Sequence, residues 1–188
     1  MIERNEIATL GRRKLIPPII HRLMADRTIH PAYVLNLRWD VLAWNPAAEL
    51  VVGFSRMQPG MRNFLWMVFM DPAMRTVLSP WKEQTQNVIS LFRRDYVKAR
   101  QEADFSALVK SLEDADPDFR TWMSEHDVSG ISAAFCHFDI SNIGCVPFQC
   151  TALTINENQH LRLICYVAEE NNKNGQQFEK EILSSREK

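Results

Sequence analysis

Apolar and polar positions change period along the chain, and each change marks an element. From Ala32 to Asn45, AYVLNLRWDVLAWN, the residues Tyr33, Leu35, Leu37 and Trp39 alternate with Val34, Asn36 and Arg38, the period of two that a half-buried strand requires. Val41 to Trp44 is short and apolar throughout. The stretch therefore predicts a β-hairpin with its corner at Arg38-Trp39-Asp40. Asn45-Pro46 then opens a helix, because the Asn side chain accepts from the first free amides and a proline at the first helical position loses no bond. The segment NPAAELVVGF closes at Gly53, a natural C-terminal stop. Ahead of the hairpin, Pro17-Pro18 introduces a stripe of Ile19, Ile20, Leu23 and Met24 at helical spacing, which predicts a short helix over residues 18–27.

The middle of the chain reads as helices. Arg62 to Met70, RNFLWMVFM, is almost entirely apolar yet far too short to span a bilayer, so it predicts a helix buried on several sides. Asp71-Pro72, Ser79-Pro80 and Asp116-Pro117 repeat the cap-then-proline signal of Asn45-Pro46. A long amphipathic helix from Pro80 to about Ala103 puts Trp81, Val88, Ile89, Phe92, Tyr96 and Ala99 on one face. Asp104 caps a shorter helix bearing Phe105, Leu108, Val109 and Leu112. Asp116 caps the last, with Phe119, Trp122, Met123 and His126.

From Ser129-Gly130 the period returns to two. Strands are expected over Ile131–Ile140, Cys145–Ile155 and Leu161–Val167, with turns at Ser141-Asn142 and Asn156–Gln159. Pro147 cannot donate to a ladder, which places it at an edge or a bulge. Residues 169–188, with Asn171-Asn172-Lys173-Asn174-Gly175, read as a solvated linker and disordered end. Two strands, a block of helices and three strands give an α+β domain. Its expected core is one five-stranded antiparallel sheet, with an enlarged helical block inserted between strands 2 and 3.

Composition narrows the chemistry. In 188 residues the net charge is -1, which does not describe a nucleic-acid-binding surface. Cys136, Cys145, Cys150 and Cys165 all fall in the last third without a CxxC pair, the usage of reduced thiols in a cytoplasmic protein. No apolar run reaches membrane-span length, and MIERNEIATLGRRK is too charged for a signal peptide. The five histidines, His21, His30, His126, His137 and His160, make no HxH or HExxH pattern, so no metal site is expected. There is no GxSxG, P-loop or GxGxxG, and the acidic pairs Glu113-Asp114 and Glu169-Glu170 sit in polar surroundings. Binding is expected, not catalysis.

PAYVLNLRWDVLAWNPAA closely resembles the opening of the ligand-binding domain of MmyB-like transcription regulators, a PAS-like domain that usually follows a Cro/C1-type helix-turn-helix. Arg62-Asn63-Phe64-Leu65, Asp71-Pro72, Trp81 and the Trp122 to Val128 run WMSEHDV extend the resemblance, which covers Pro18 to Ala168. It implies a PAS-like domain over residues 18–168 whose helix 18–27 links sensor to DNA-binding part. It also implies a pocket for a fatty-acid-like ligand between sheet and helices. Residues 1–17 are a polar lead too short to hold a helix-turn-helix, so the expected partner is a fused or separate DNA-binding unit, with no direct nucleic-acid contact by this chain.

For the pocket wall the candidates are Phe64, Met67, Phe69, Trp81, Val88, Phe92 and Trp122, with His137 on a facing strand. For a carboxylate head group Arg62 comes first, beside Asn63, because a guanidinium can grip a carboxylate with two parallel hydrogen bonds. The competing reading makes the apolar residues plain core, Arg62 the partner of a surface acid and Asn63 a helix cap. The rival function is a PAS-type dimerisation or interaction module with a filled core and no bound ligand. Independently of that choice, the stripe of Ile19, Ile20, Leu23 and Met24 makes a homodimer the expected assembly, the alternative being a monomer with the helix folded onto its own domain.

Overall fold

Asn45 is the knot from which the sheet and the first helices are tied. Its Oδ1 accepts from Ala48 N–H at 2.9 Å and from Ala32 N–H at 3.0 Å, while its Nδ2 donates to His30 O at 2.8 Å and Met24 O at 3.3 Å. One buried amide thus caps a helix, starts a strand and holds the end of the helix before it. The computed structural model describes residues 16–26, 29–99, 103–124, 135–155 and 158–185. Several expectations lie outside them: the polar lead up to residue 15, Arg27, His126, the strand start at Ile131 and the turn at Asn156.

Among the described residues the elements run α1 (Pro18–Asp26), β1 (Ala32–Asn36), β2 (Val41–Trp44), α2 (Pro46–Val52), α3 (Phe64–Met70), α4 (Pro72–Val77), α5 (Trp81–Ala99), α6 (Ala103–Ala115), α7 (Pro117–Ser124), β3 (Phe135–Ile140), β4 (Gly144–Ile155), β5 (Asn158–Ala168) and α8 (Lys173–Ser185). A 3₁₀ turn, Phe54–Arg56, follows α2. The sheet is antiparallel with strand order β2-β1-β5-β4-β3. This is the PAS-like α+β fold, with α2 to α7 as the expected helical block between β2 and β3. Proline-marked caps hold three of its starts: Asn45, then Asp71 on Ala73 N–H at 2.9 Å and Asp116 on Phe119 N–H at 2.8 Å.

Both faces of β1 are covered, so its alternation does not produce a wet side. Tyr33 and Leu35 face the helical block, while Ala32 and Val34 lie under α1 with Ile20, Met24, Leu163 and Cys165. The strand ends at Asn36 instead of running on to Trp39. Asn36 and Asp40 close the corner through Asp40 N–H to Asn36 Oδ1 and Asn36 Nδ2 to Asp40 Oδ2, both 2.9 Å. Trp39 takes a left-handed conformation with φ 66°, uncommon for a bulky side chain. Of the α1 stripe, Ile20 and Met24 are buried on the sheet, whereas Ile19 and Leu23 stay exposed.

Two expectations are corrected. Pro147 lies in β4, an interior strand, and not at the sheet's edge. It is tolerated because β5 stops opposite Phe148, and Pro147 O accepts from Glu169 N–H just past that ladder. Its missing N–H falls where no partner strand continues. Residues 173–185, expected to be solvated tail, form helix α8. Asn172 Oδ1 accepts from Gly175 N–H at 3.0 Å, and Phe178 and Ile182, four apart, are buried. Burying two such side chains gains roughly 1.5–3 kcal/mol each, enough to hold a helix that its polar composition hides.

Candidate functional site

Helix α5 stands over the inner face of β4 and β5 without packing flat on it, and a cavity of about 110 Å³ lies between them. The wall comes from four directions. Tyr33 and Leu35 enter from β1 and Trp39 from the corner; Arg162, Ile164 and Tyr166 from β5; Cys136, Phe138, Cys150 and Ala152 from β3 and β4; Gln84, Asn87, Val88, Leu91 and Arg94 from α5. Phe64 and Leu78 close the remainder. Leu91, Arg94 and Ala152 are exposed and mark the mouth. Sites for drug-sized ligands measure roughly 300–1,000 Å³, so this cavity, at about 110 Å³, is smaller than a site that encloses such a ligand whole.

One pole of the cavity carries a buried cation. Arg162 sits in LRLICYVA, where period two puts residues 162, 164 and 166 on one face. Its Nη1 meets Asp95 Oδ2 at 2.6 Å, and the two side chains are 16% and 9% exposed. Trp39 Nε1–H donates to the same Asp95 oxygen at 2.8 Å, and the Arg162 guanidinium lies 5.5 Å from the Trp39 ring centroid. Phe92 supports Trp39 edge-on at 5.5 Å. Arg162 Nε and Nη2 are buried without a hydrogen-bond partner. Those two nitrogens form one edge of the guanidinium fork, the edge that takes a carboxylate through two parallel bonds. Asn87 Oδ1, on the facing helix, is also buried and unpaired, and such groups are rare in folded proteins.

At the other pole Tyr33 and Tyr166 share a 2.9 Å hydrogen bond between hydroxyls. Burial pushes both phenols well above their ordinary range, and the nearby Cys150 adds to it. Among the described residues no group of three or more His, Cys, Asp or Glu stands together to hold a metal, and no helix is long and apolar enough to cross a membrane.

Of the residues nominated from sequence, Phe64 and Val88 line this cavity. Met67, Phe69, Phe92 and Trp122 are buried within the helical block, where Phe69 meets Phe119 at 4.9 Å and Trp81 lies 5.9 Å from Trp122. His137 projects on the opposite sheet face from Cys136 and Phe138, beside Gln84. Asn63 is a cap and a brace: it accepts from Trp66 N–H at 3.2 Å and donates to Arg38 O at 2.7 Å and Asp40 Oδ1 at 3.1 Å. Arg62 Nε donates to Phe54 O at 3.0 Å, and its guanidinium lies 4.9 Å from the Trp44 ring, away from the cavity wall. Sequence reasoning missed Arg162, although a lone cation inside an apolar alternating strand was a readable signal.

A family model described as MmyB-like transcription regulator ligand binding domain matches residues 16–180, which takes in α8 as far as Lys180. No curated protein matches the chain.

Proposed function

The chain belongs to the MmyB-like transcription regulator ligand binding domain family, and on that premise we propose that its cavity senses an apolar molecule with an acidic head group, a fatty acid being the simplest. The carboxylate sits on the Nε/Nη2 edge of Arg162, and the chain runs along Tyr33, Ile164 and Val88 toward the mouth. The observation that carries this reading is the buried, half-used guanidinium: Asp95 occupies one nitrogen, and the two others have no partner. An unpaired buried donor costs about 1–3 kcal/mol, a cost that an acidic ligand relieves.

Occupancy reaches the rest of the regulator through β5. Arg162, Ile164 and Tyr166 face the cavity, while Leu161, Leu163 and Cys165 on the reverse face pack with Ile20 and Met24 of α1. A ligand that favours one setting of β5 biases the seat of the helix that precedes the sheet, and its leverage equals its differential affinity for the two settings. DNA is contacted by a helix-turn-helix unit, fused or separate, and this chain binds without turnover. The test is gentle purification, solvent extraction and mass spectrometry of the extract, followed by titration of the stripped chain with saturated fatty acids. Recovery of fatty acids and saturable binding are expected. A clean extract together with no binding refutes the proposal.

A further inference from the structure

The tyrosine pole of the cavity also holds two thiols. Cys136 stands one residue before His137 on β3 and pairs with Phe148 of β4; Cys150 follows two residues later on the same face. Both side chains line the cavity. Cys150 stands opposite Tyr166 across the β4–β5 ladder, diagonal to Cys136. All four cysteines of the chain are free thiols. An apolar wall needs no sulfhydryl pair, and valine or alanine fills such positions as well.

We propose that Cys136 and Cys150 form a redox-responsive dithiol, a modification site at which a hydroperoxide entering the cavity is reduced while the two cysteines become a disulfide. The roles divide by environment. The hydrogen bond from Cys136, and then that from Tyr166, favour the Cys150 thiolate against its burial and lower its pKa, whereas the same hydrogen bond and burial push Cys136 up. A thiolate is the attacking species. Cys150 sulfur attacks the terminal peroxide oxygen, the O–O bond breaks, and the alkoxide or hydroxide leaves with a proton as alcohol or water. Cys150 is then a sulfenic acid. Cys136 sulfur attacks it, the S–O bond breaks, and the hydroxide leaves with the Cys136 proton as water. Two thiols and one hydroperoxide thus give one disulfide, one alcohol or water, and one water.

Diagonal neighbours on adjacent strands are roughly 7–8 Å apart between Cα atoms, whereas disulfide-linked Cα atoms lie roughly 4.4–6.8 Å apart. Oxidation therefore draws β3 and β4 together at the cavity wall. A bond closed against such strain is the easily reduced, regulatory kind.

Two sources of hydroperoxide share this chemistry: hydrogen peroxide from solution, or a fatty-acid hydroperoxide held by its carboxylate. Residues 162 and 166 lie four apart on one strand, roughly 13 Å, so a carboxylate on Arg162 places a mid-chain peroxide near the thiols. The second source rests on the head-group reading above; the dithiol does not.

The test treats the reduced full chain with hydrogen peroxide and, separately, with linoleic acid hydroperoxide, and follows it by intact mass and peptide mapping. Expected is a Cys136–Cys150 linked peptide, reversed by dithiothreitol. In Cys136→Ser the reaction should stop at a Cys150 sulfenic acid that dimedone traps. Iodoacetamide should label Cys150 at lower pH than the exposed Cys145, whose thiol burial and Asp139 push up. Mapping that finds Cys136 and Cys150 still reduced after Cys145 has reacted overturns the proposal. So does over-oxidation of Cys150 in the parent without pairing. If the lipid hydroperoxide reacts faster than hydrogen peroxide in the parent but not in Arg162→Lys, the cavity supplies the oxidant. Equal rates in both leave the dithiol standing with a solution oxidant and refute the head-group reading alone.

Discussion

Arg162→Lys separates ligand recognition from folding. Lysine keeps a cation beside Asp95, whose carboxylate is 9% exposed and already accepts from Trp39. It offers a point charge where arginine offers a planar fork. A charge-assisted bidentate contact is worth about 1.5–3 kcal/mol. If lysine restores one of the two bonds, roughly half is lost, which weakens acid binding about four- to tenfold. Arg162→Met removes the whole contact but strips a buried carboxylate of its cation, a change that costs about 3–5 kcal/mol of stability. That is a large share of the roughly 5–15 kcal/mol a domain of this size commands, so lysine is the cleaner perturbation. The assay is isothermal titration of parent and variant with a fatty acid and with its methyl ester, which has the same chain and no charge. The acid should weaken in Arg162→Lys while the ester does not. If both weaken by the same factor, the substitution has altered the cavity's shape, and the head group does not rest on Arg162.

Three further outcomes follow from the packing. Phe178→Ala, at a fully buried position stacked edge-on to Phe148 at 5.4 Å, should cost about 3–5 kcal/mol in urea unfolding; a loss within experimental error would mean that α8 does not dock. Arg62→Ala should cost about 1–2 kcal/mol of stability, from its bond to Phe54 O and its contact with Trp44, and leave acid affinity at the parent level, so a loss matching Arg162→Lys would return the head group to Arg62. The exposed Ile19 and Leu23 on α1 are the expected dimer contact. Light scattering should give a dimer mass for the parent and a monomer mass for Ile19→Asp/Leu23→Asp, and a monomeric parent refutes the pairing.

Much of this architecture was written locally. The caps Asn45, Asp71 and Asp116 hold the helices that their prolines announced, and alternation marked the strands, because capping and side-chain period act within a few residues of each other. The resemblance carried in the opening hairpin and in Arg62-Asn63-Phe64-Leu65 reached the right family. The same motif did not place Arg62 or Asn63 on the cavity wall. Arg62 and Asn63 stand where their neighbours point them, one over Trp44 and one into the Arg38–Asp40 corner. Their residue types alone do not distinguish a head-group clamp from a brace.

What tertiary structure decided was which faces meet. Phe69, Trp81, Phe92 and Trp122 have the same composition as a pocket wall, yet they fill the helical block, because α7 packs against α5 on that side. Arg162, Asp95 and Trp39 come from three distant stretches, and no periodicity links them. Their network exists because antiparallel register sets β5 beside β1 and α5 crosses above. Cys136 and Cys150 became neighbours through the register of β3 on β4. Local signals fix an element and its apolar face, since those depend on backbone geometry within a turn or two. A binding site is a coincidence of faces far apart in sequence, and that is settled only when the chain closes on itself.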